Sequence, residues 1–118
     1  MNKKEKGNEG EDIACEYLEK RNYCIFRRNF YFHGGEIDVI AKDKSSDEIV
    51  FFEVKTRTSL KYGRGTEAIN YVKLNRMKKG AKCYLYKKRW SNVAIRFDAI
   101  EVYRFKEEIY VNHIKQII

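Results

Sequence analysis

The chain of 118 residues has no proline, two histidines and three cysteines. Cys15, Cys24 and Cys83 are odd in number and widely separated, and no CxxC pair occurs. That excludes a zinc knuckle and a disulfide framework, and it fits reduced thiols in a reducing compartment. His33 and His113 have no evident companions in sequence, which argues against a histidine-centred site. The first residues, Met1 to Lys6, are polar, and neither an apolar signal region nor a spanning segment is found. The expected location is therefore the cytoplasm, with no membrane partner. Gly63-Arg64-Gly65 lacks the rest of a GxGxxG, and there is no GK[ST] loop, so no nucleotide fingerprint is present. Internal repeats and low-complexity stretches are absent too. One domain over residues 1–118 is expected, with 1–6 frayed.

What the chain has is positive charge. Lys and Arg number 25 against 17 Asp and Glu, a formal net charge of +8. A small basic domain suggests a polyanionic partner, nucleic acid above all. A charge that serves only solubility is the blander alternative. With 43% hydrophobic and 14% aromatic residues, the chain can bury a modest core.

Periodicity supplies the elements. Ile13, Ala14, Tyr17 and Leu18 recur at helical spacing, predicting a helix from about Asn8 to Arg21. Tyr23 to Tyr31 reads as a strand, and His33-Gly34-Gly35 as a tight turn. Strands are expected at Glu36–Ala41 and Glu48–Lys55, joined by a polar turn in which Asp43 and Asp47 read as solvated acids. Thr56 to Glu67 is a long polar loop with Gly63 and Gly65 and the cations Arg57, Lys61 and Arg64. A second helix follows to about Arg89, its inward stripe set by Ile69, Val72, Met77, Ala81, Tyr84 and Leu85. Strands at Val93–Tyr103 and Glu108–Ile114 close the chain. Short turns imply an antiparallel meander of three strands, and the second helix is long enough for a parallel crossover. The expected class is α/β: a mixed sheet flanked by helices, in the order α-β-β-β-α-β.

The chemistry gathers on two of these strands. Side chains alternate faces along a strand, so Glu53 and Lys55 point one way with Ile49 and Phe51, while Val50, Phe52 and Val54 point the other. On the preceding strand Glu36, Asp38 and Ile40 share a face, and Ile37, Val39 and Ala41 share the opposite one. Charged groups on apolar strands need a partner or a metal. Two carboxylates beside an ammonium suit a hard divalent cation. Lys73 falls inside the second helix's stripe, where a lysine either snorkels outward or faces a carboxylate.

Asp38 … Glu53-Val54-Lys55 resembles the active-site signature of the PD-(D/E)xK nuclease superfamily, which includes restriction enzymes and Holliday junction resolvases. The chain as a whole resembles the small bacterial YraN family (UPF0102), described as endonuclease-like. The resemblance runs through Gly7-x-x-Gly10-Glu11, Gly35-Glu36-Ile37-Asp38, Phe52-Glu53-Val54-Lys55-Thr56-Arg57, Gly63 … Glu67-Ala68, Lys73 and Arg96-Phe97-Asp98. It departs from the nuclease pattern at Ile37, where a proline is nominal, and at Thr66, where one is frequent.

That resemblance implies a restriction-endonuclease-like core and a metal-dependent endonuclease acting on nucleic acid, with DNA, branched or structured DNA included, expected before RNA. It places Glu11, Asp38, Glu53 and Lys55 in the catalytic site. Glu11, Asp38, Glu53 and the Val54 carbonyl would be ligands to Mg²⁺ or Mn²⁺. Arg57, Lys61, Arg64 and Lys73 would bind the nucleic acid. By residue type alone Glu11 reads as a first-turn acid favoured by the helix dipole. Resolvase-like relatives act as dimers, so a homodimer is expected by analogy. The rival reading is a non-catalytic nucleic-acid-binding module or an interaction subunit of a DNA-processing complex, with Tyr31, Tyr62, Tyr103 and Tyr110 as exposed aromatics. Asp98 is assigned a structural salt bridge.

Overall fold

The computed structural model describes residues 3–57 and 71–118. Helix α1 (Lys3–Lys20) precedes strands β1 (Tyr23–Phe32), β2 (Gly35–Asp43) and β3 (Glu48–Arg57). Helix α2 (Tyr71–Lys88), β4 (Ile95–Phe105) and β5 (Glu108–Ile114) follow. The five strands form one sheet in chain order. β1, β2 and β3 pair antiparallel as the expected meander, and β4 with β5 does the same. β3 and β4 pair in parallel, which requires the crossover that carries α2. The architecture is thus α/β with a mixed sheet, consistent with a restriction-endonuclease-like core.

Alternation along β3 sorts the core into two layers. Val50 and Phe52 pack with Val39, Ala41, Ile100 and Val102 against Ala14 and Leu18 of α1. Ile49 and Phe51 pack with Phe30, Ile40 and Phe97 against Met77, Ala81 and Tyr84 of α2. Several expectations need correction. Ile37 joins the α2 layer rather than that of Val39 and Ala41. Val72 is 64% exposed and lies outside the buried stripe of α2. Val93 precedes β4, which begins at Ile95, and both residues are exposed. Tyr103, offered as an exposed aromatic, is buried, because its face of β4 is covered. Tyr31 and Tyr110 are exposed as expected. Tyr62 lies outside the described residues. No helix among the described residues is long and apolar enough to cross a membrane.

Asp43 also departs from expectation: it is 5% exposed, not solvated. The reason lies 53 residues downstream. Arg96 of β4 reaches across β3 and donates through Nη1 to Asp43 Oδ2 at 3.0 Å and to Glu48 Oε1 at 2.8 Å. Its Nε and Nη2 form a bidentate pair with Asp98 at 2.9 and 3.0 Å, and Nη2 also reaches the Tyr23 hydroxyl. Asp98 is fully buried and further accepts from the Gln116 amide and meets His113 Nε2 at 2.7 Å. Asp98 therefore has the expected structural bridge, and His113 has a companion that spacing did not reveal. Burial pushes both carboxyls up. Arg96 outweighs it at Asp43 with help from the Ser45 amide, and at Asp98 the His113 contact and Arg96 do so, leaving both below the usual range.

Removing one partner of such a network leaves buried charge uncompensated. We expect Arg96→Ala to lose about 3–5 kcal/mol of stability in urea denaturation at pH 7. The two depressed carboxyls add stability that is present above about pH 4 and lost as pH falls below it. The acid-induced loss should therefore be shallower in the variant. A change under about 1 kcal/mol would show that the network is not what ties β4 to the β2–β3 hairpin.

Candidate active site

The β2–β3 ladder runs from Asp43↔Glu48 to Val39↔Phe52 and stops there. Continued, the same register would set Ile37 opposite Val54. Instead the Val54 amide donates to Asp38 Oδ2 at 2.8 Å. A side-chain carboxylate stands in for the backbone acceptor. Ile37 turns toward α2, close against Gly80, where any Cβ would collide with it. The two strands part at this point, and Asp38 and Glu53 flank the gap.

Glu53 and Lys55 share the α2 face of β3, as alternation predicts. Lys55 Nζ lies 3.0 Å from Glu53 Oε1, and Lys73 Nζ of α2 donates to the same oxygen at 3.1 Å. Of the two options for Lys73, the structure shows the one that faces a carboxylate. All three side chains are largely but not wholly buried. Glu53 and Lys73 border a cavity of about 340 Å³ whose lining also includes Tyr31, Glu36, Asp38 and Arg76. Burial, then the negative charge of Glu53, drives the Asp38 carboxyl up to about 7, against the opposing hydrogen bond from Val54.

Glu11 is brought near by Gly10, whose backbone sits so close to Thr56 of β3 that a Cβ would run into Thr56 Oγ1. Glu11 Oε1 accepts from Asn29 Nδ2 at 2.9 Å and lies 3.7 Å from Arg28 Nη2. Burial raises its carboxyl, opposed by the Asn29 bond and by Arg28. The Glu11 charge in turn raises Asp38. Among the described residues no three His, Cys, Asp or Glu side chains converge as a ready metal cluster. The Asp38–Glu53 pair still suits Mg²⁺, which is commonly held through one or two carboxylates plus substrate phosphate.

Two neighbours were not anticipated. Arg76 lies with its stem across Gly35, so that a Cβ there would come within 2.5 Å of Arg76 Cδ. The signal was available: Arg76 is three residues after Lys73 and so on the same side of a helix. Glu101 of β4 is 1% exposed and sits beside Lys55 in the parallel register. Its Oε1 accepts from Asn112, while Oε2 and Arg57 Nε, 4.0 Å apart, are both buried without a hydrogen bond. Arg57 thus occupies the same face, two residues beyond Lys55. Lys61 and Arg64 lie outside the described residues.

These features define a class: an α/β domain in which a carboxylate pair and two lysines converge at the parted ends of two central strands. A family model described as "Uncharacterised protein family UPF0102" matches residues 10–102. The chain is 45% identical over 117 residues to a UPF0102 protein of Caldicellulosiruptor saccharolyticus, covering 98% of each. It is 42% identical to one of Clostridioides difficile, over 97% of this chain and 96% of that one. It is 49% identical over 100 residues to one of Clostridium botulinum, covering 84% and 80%. The chain belongs to UPF0102, the YraN family.

The raised Asp38 carboxyl has a thermodynamic consequence. The native state keeps this proton up to about pH 7, whereas an unfolded aspartate releases it near 4. Stability therefore falls as pH rises between those values. Three units correspond to a ceiling of about 4 kcal/mol, and partial solvent access reduces it. We expect Asp38→Asn to be more stable than wild type by about 1–2 kcal/mol at pH 8 and indistinguishable at pH 4. Denaturation at both pH values measures this. Equal effects at both would mean that Asp38 is not held in a repulsive, desolvated site.

Proposed function

We propose that the chain is a metal-dependent endonuclease that hydrolyses phosphodiester bonds in nucleic acid, DNA rather than RNA. One observation carries the reading: Lys55 and Lys73 converge on Glu53 beside a carboxyl, Asp38, poised near neutral pH in an open cavity. Asp38 and Glu53, with Glu11 and the Val54 carbonyl as further oxygen donors, would hold Mg²⁺ or Mn²⁺. When bound, the ion supplies a more acidic water and offsets charge on the phosphate. Lys55 would orient the attacking water and stabilise charge that develops on phosphate oxygens. Arg57 and Lys73 would hold the phosphate, with Lys61 and Arg64 following in the chain. Cytoplasmic location and a homodimer that acts on two strands belong to the same proposal.

A non-catalytic nucleic-acid-binding module is the second reading. The net charge of +8 favours it, because binding through phosphate contacts needs no chemistry at the cavity. The deciding experiment is a cleavage panel in Mg²⁺ or Mn²⁺ with linear, flapped and four-way-junction DNA, single-stranded DNA and structured RNA. We expect wild type to cut at least one DNA substrate. Lys55→Ala, Glu53→Gln and Asp38→Asn should each lower the rate by about 10²-fold or more while retaining binding. Normal cleavage by Lys55→Ala would overturn the site assignment. Binding without any cleavage by wild type would establish the module instead.

A further inference from the structure

The net charge of the chain is +8, and α2 alone holds seven lysines and arginines with no acid. Most of the excess charge therefore sits on one helix. Six of the seven cations, Arg76, Lys78, Lys79, Lys82, Lys87 and Lys88, are exposed. An ordinary solvated helix mixes signs, because opposite charges three or four residues apart stabilise it and like charges cost similar amounts. Here Arg76/Lys79, Lys79/Lys82 and Lys78/Lys82 are all like pairs at those spacings. Lys87 and Lys88 suit the negative end of the helix dipole, but the cations of the middle turns have no such explanation.

The row is also placed. Arg76 lies over Gly35, and a Cβ at Gly34, whose φ is 109°, would sit 3.5 Å from Lys79 Nζ. The β1–β2 turn is thus bare where the two cations cross it. Further along, Lys87 and Arg27 both lie 5.5 Å from the centre of the Phe30 ring. Arg76 and Lys73 line the Asp38–Glu53 cavity itself, so the row begins at the site. From Lys73 to Lys87 the helix rises about 21 Å. That is long enough to follow several successive phosphates of one duplex strand.

The geometry points to α2 as the docking face for a nucleic-acid duplex, with one phosphate backbone running along Arg76, Lys79 and Lys87 away from the carboxylate cavity. The inference rests on the reading of the cavity as a nucleic-acid site, and it names how the partner lies. A straight, rigid row of like charge suits the regular phosphate spacing of a duplex, and phosphate contacts of this kind position the partner without reading its sequence.

The test measures affinity for a duplex DNA oligonucleotide against salt concentration, in EDTA so that no cleavage occurs. Wild type is compared with the triple variant Lys79→Gln, Lys82→Gln, Lys87→Gln and with a control of equal charge, Lys44→Gln, Lys106→Gln, Lys115→Gln, whose positions are exposed elsewhere. We expect the slope of log K against log salt to shrink by about 0.9 for each phosphate that the α2 variant no longer neutralises, and to stay near wild type in the control. Equal losses in both variants would overturn the proposal by showing that bulk charge alone binds. So would an α2 effect seen on a single-stranded oligonucleotide but not on the duplex, or no duplex binding by wild type. An α2-dependent slope in a protein that cleaves nothing with metal added would sink the nuclease reading and leave the docking face standing.

Discussion

One hydrogen bond decides the shape of this site: the Val54 amide donates to the Asp38 carboxylate and not to a strand carbonyl. A ladder that continued would close β2 against β3 and leave no gap. By accepting that bond, Asp38 satisfies a strand amide and at the same time parts the strands. Glu53 then faces the opening, Ile37 is released to the other layer, and two lysines can reach the same glutamate oxygen. The carboxylate is thus both a structural acceptor and a chemical group.

Three aspartates show how environment divides one residue type. Asp43 and Asp98 share the Arg96 guanidinium, and their carboxyls fall below the usual range despite burial. Asp38 is desolvated beside Glu53 with only one amide to help, and its carboxyl rises to about 7. A shared cation and a neighbouring anion thus push the same residue type in opposite directions. The Arg96 network fixes β4 and the β2–β3 hairpin at the far end of β3. The ladder can then fail at the near end without loosening the sheet.

Local patterns were legible and long-range partners were not. Alternation along β3 put Glu53 and Lys55 on one face because period 2 depends only on neighbouring residues. The meander and the parallel crossover followed from turn and helix lengths. Asp43 was misread because its residue type and turn position say nothing about an arginine 53 residues away. Ile37 was misplaced because the alternation breaks where Asp38 replaces the backbone acceptor. Glu101 escaped notice since a lone glutamate within an apolar strand gives no sign that it borders Lys55 until the parallel register is known. Gly35 was read as a turn residue, but the stem of Arg76 lying over it explains the need for glycine equally well.

The distribution of charge then makes one argument of these parts. Acidic groups are concentrated at the parted strands, where they repel one another, and cations line α2, where they do the same. Each arrangement costs stability alone, and under the proposed function both costs would be relieved by the same kind of visitor: a polyanion along α2 with counter-cations at the carboxylates. Like charges concentrated on both sides of one cavity are what the proposed site for a phosphate backbone would require. The same proposal would account for the basic helix being the one that crosses the sheet beside Glu53.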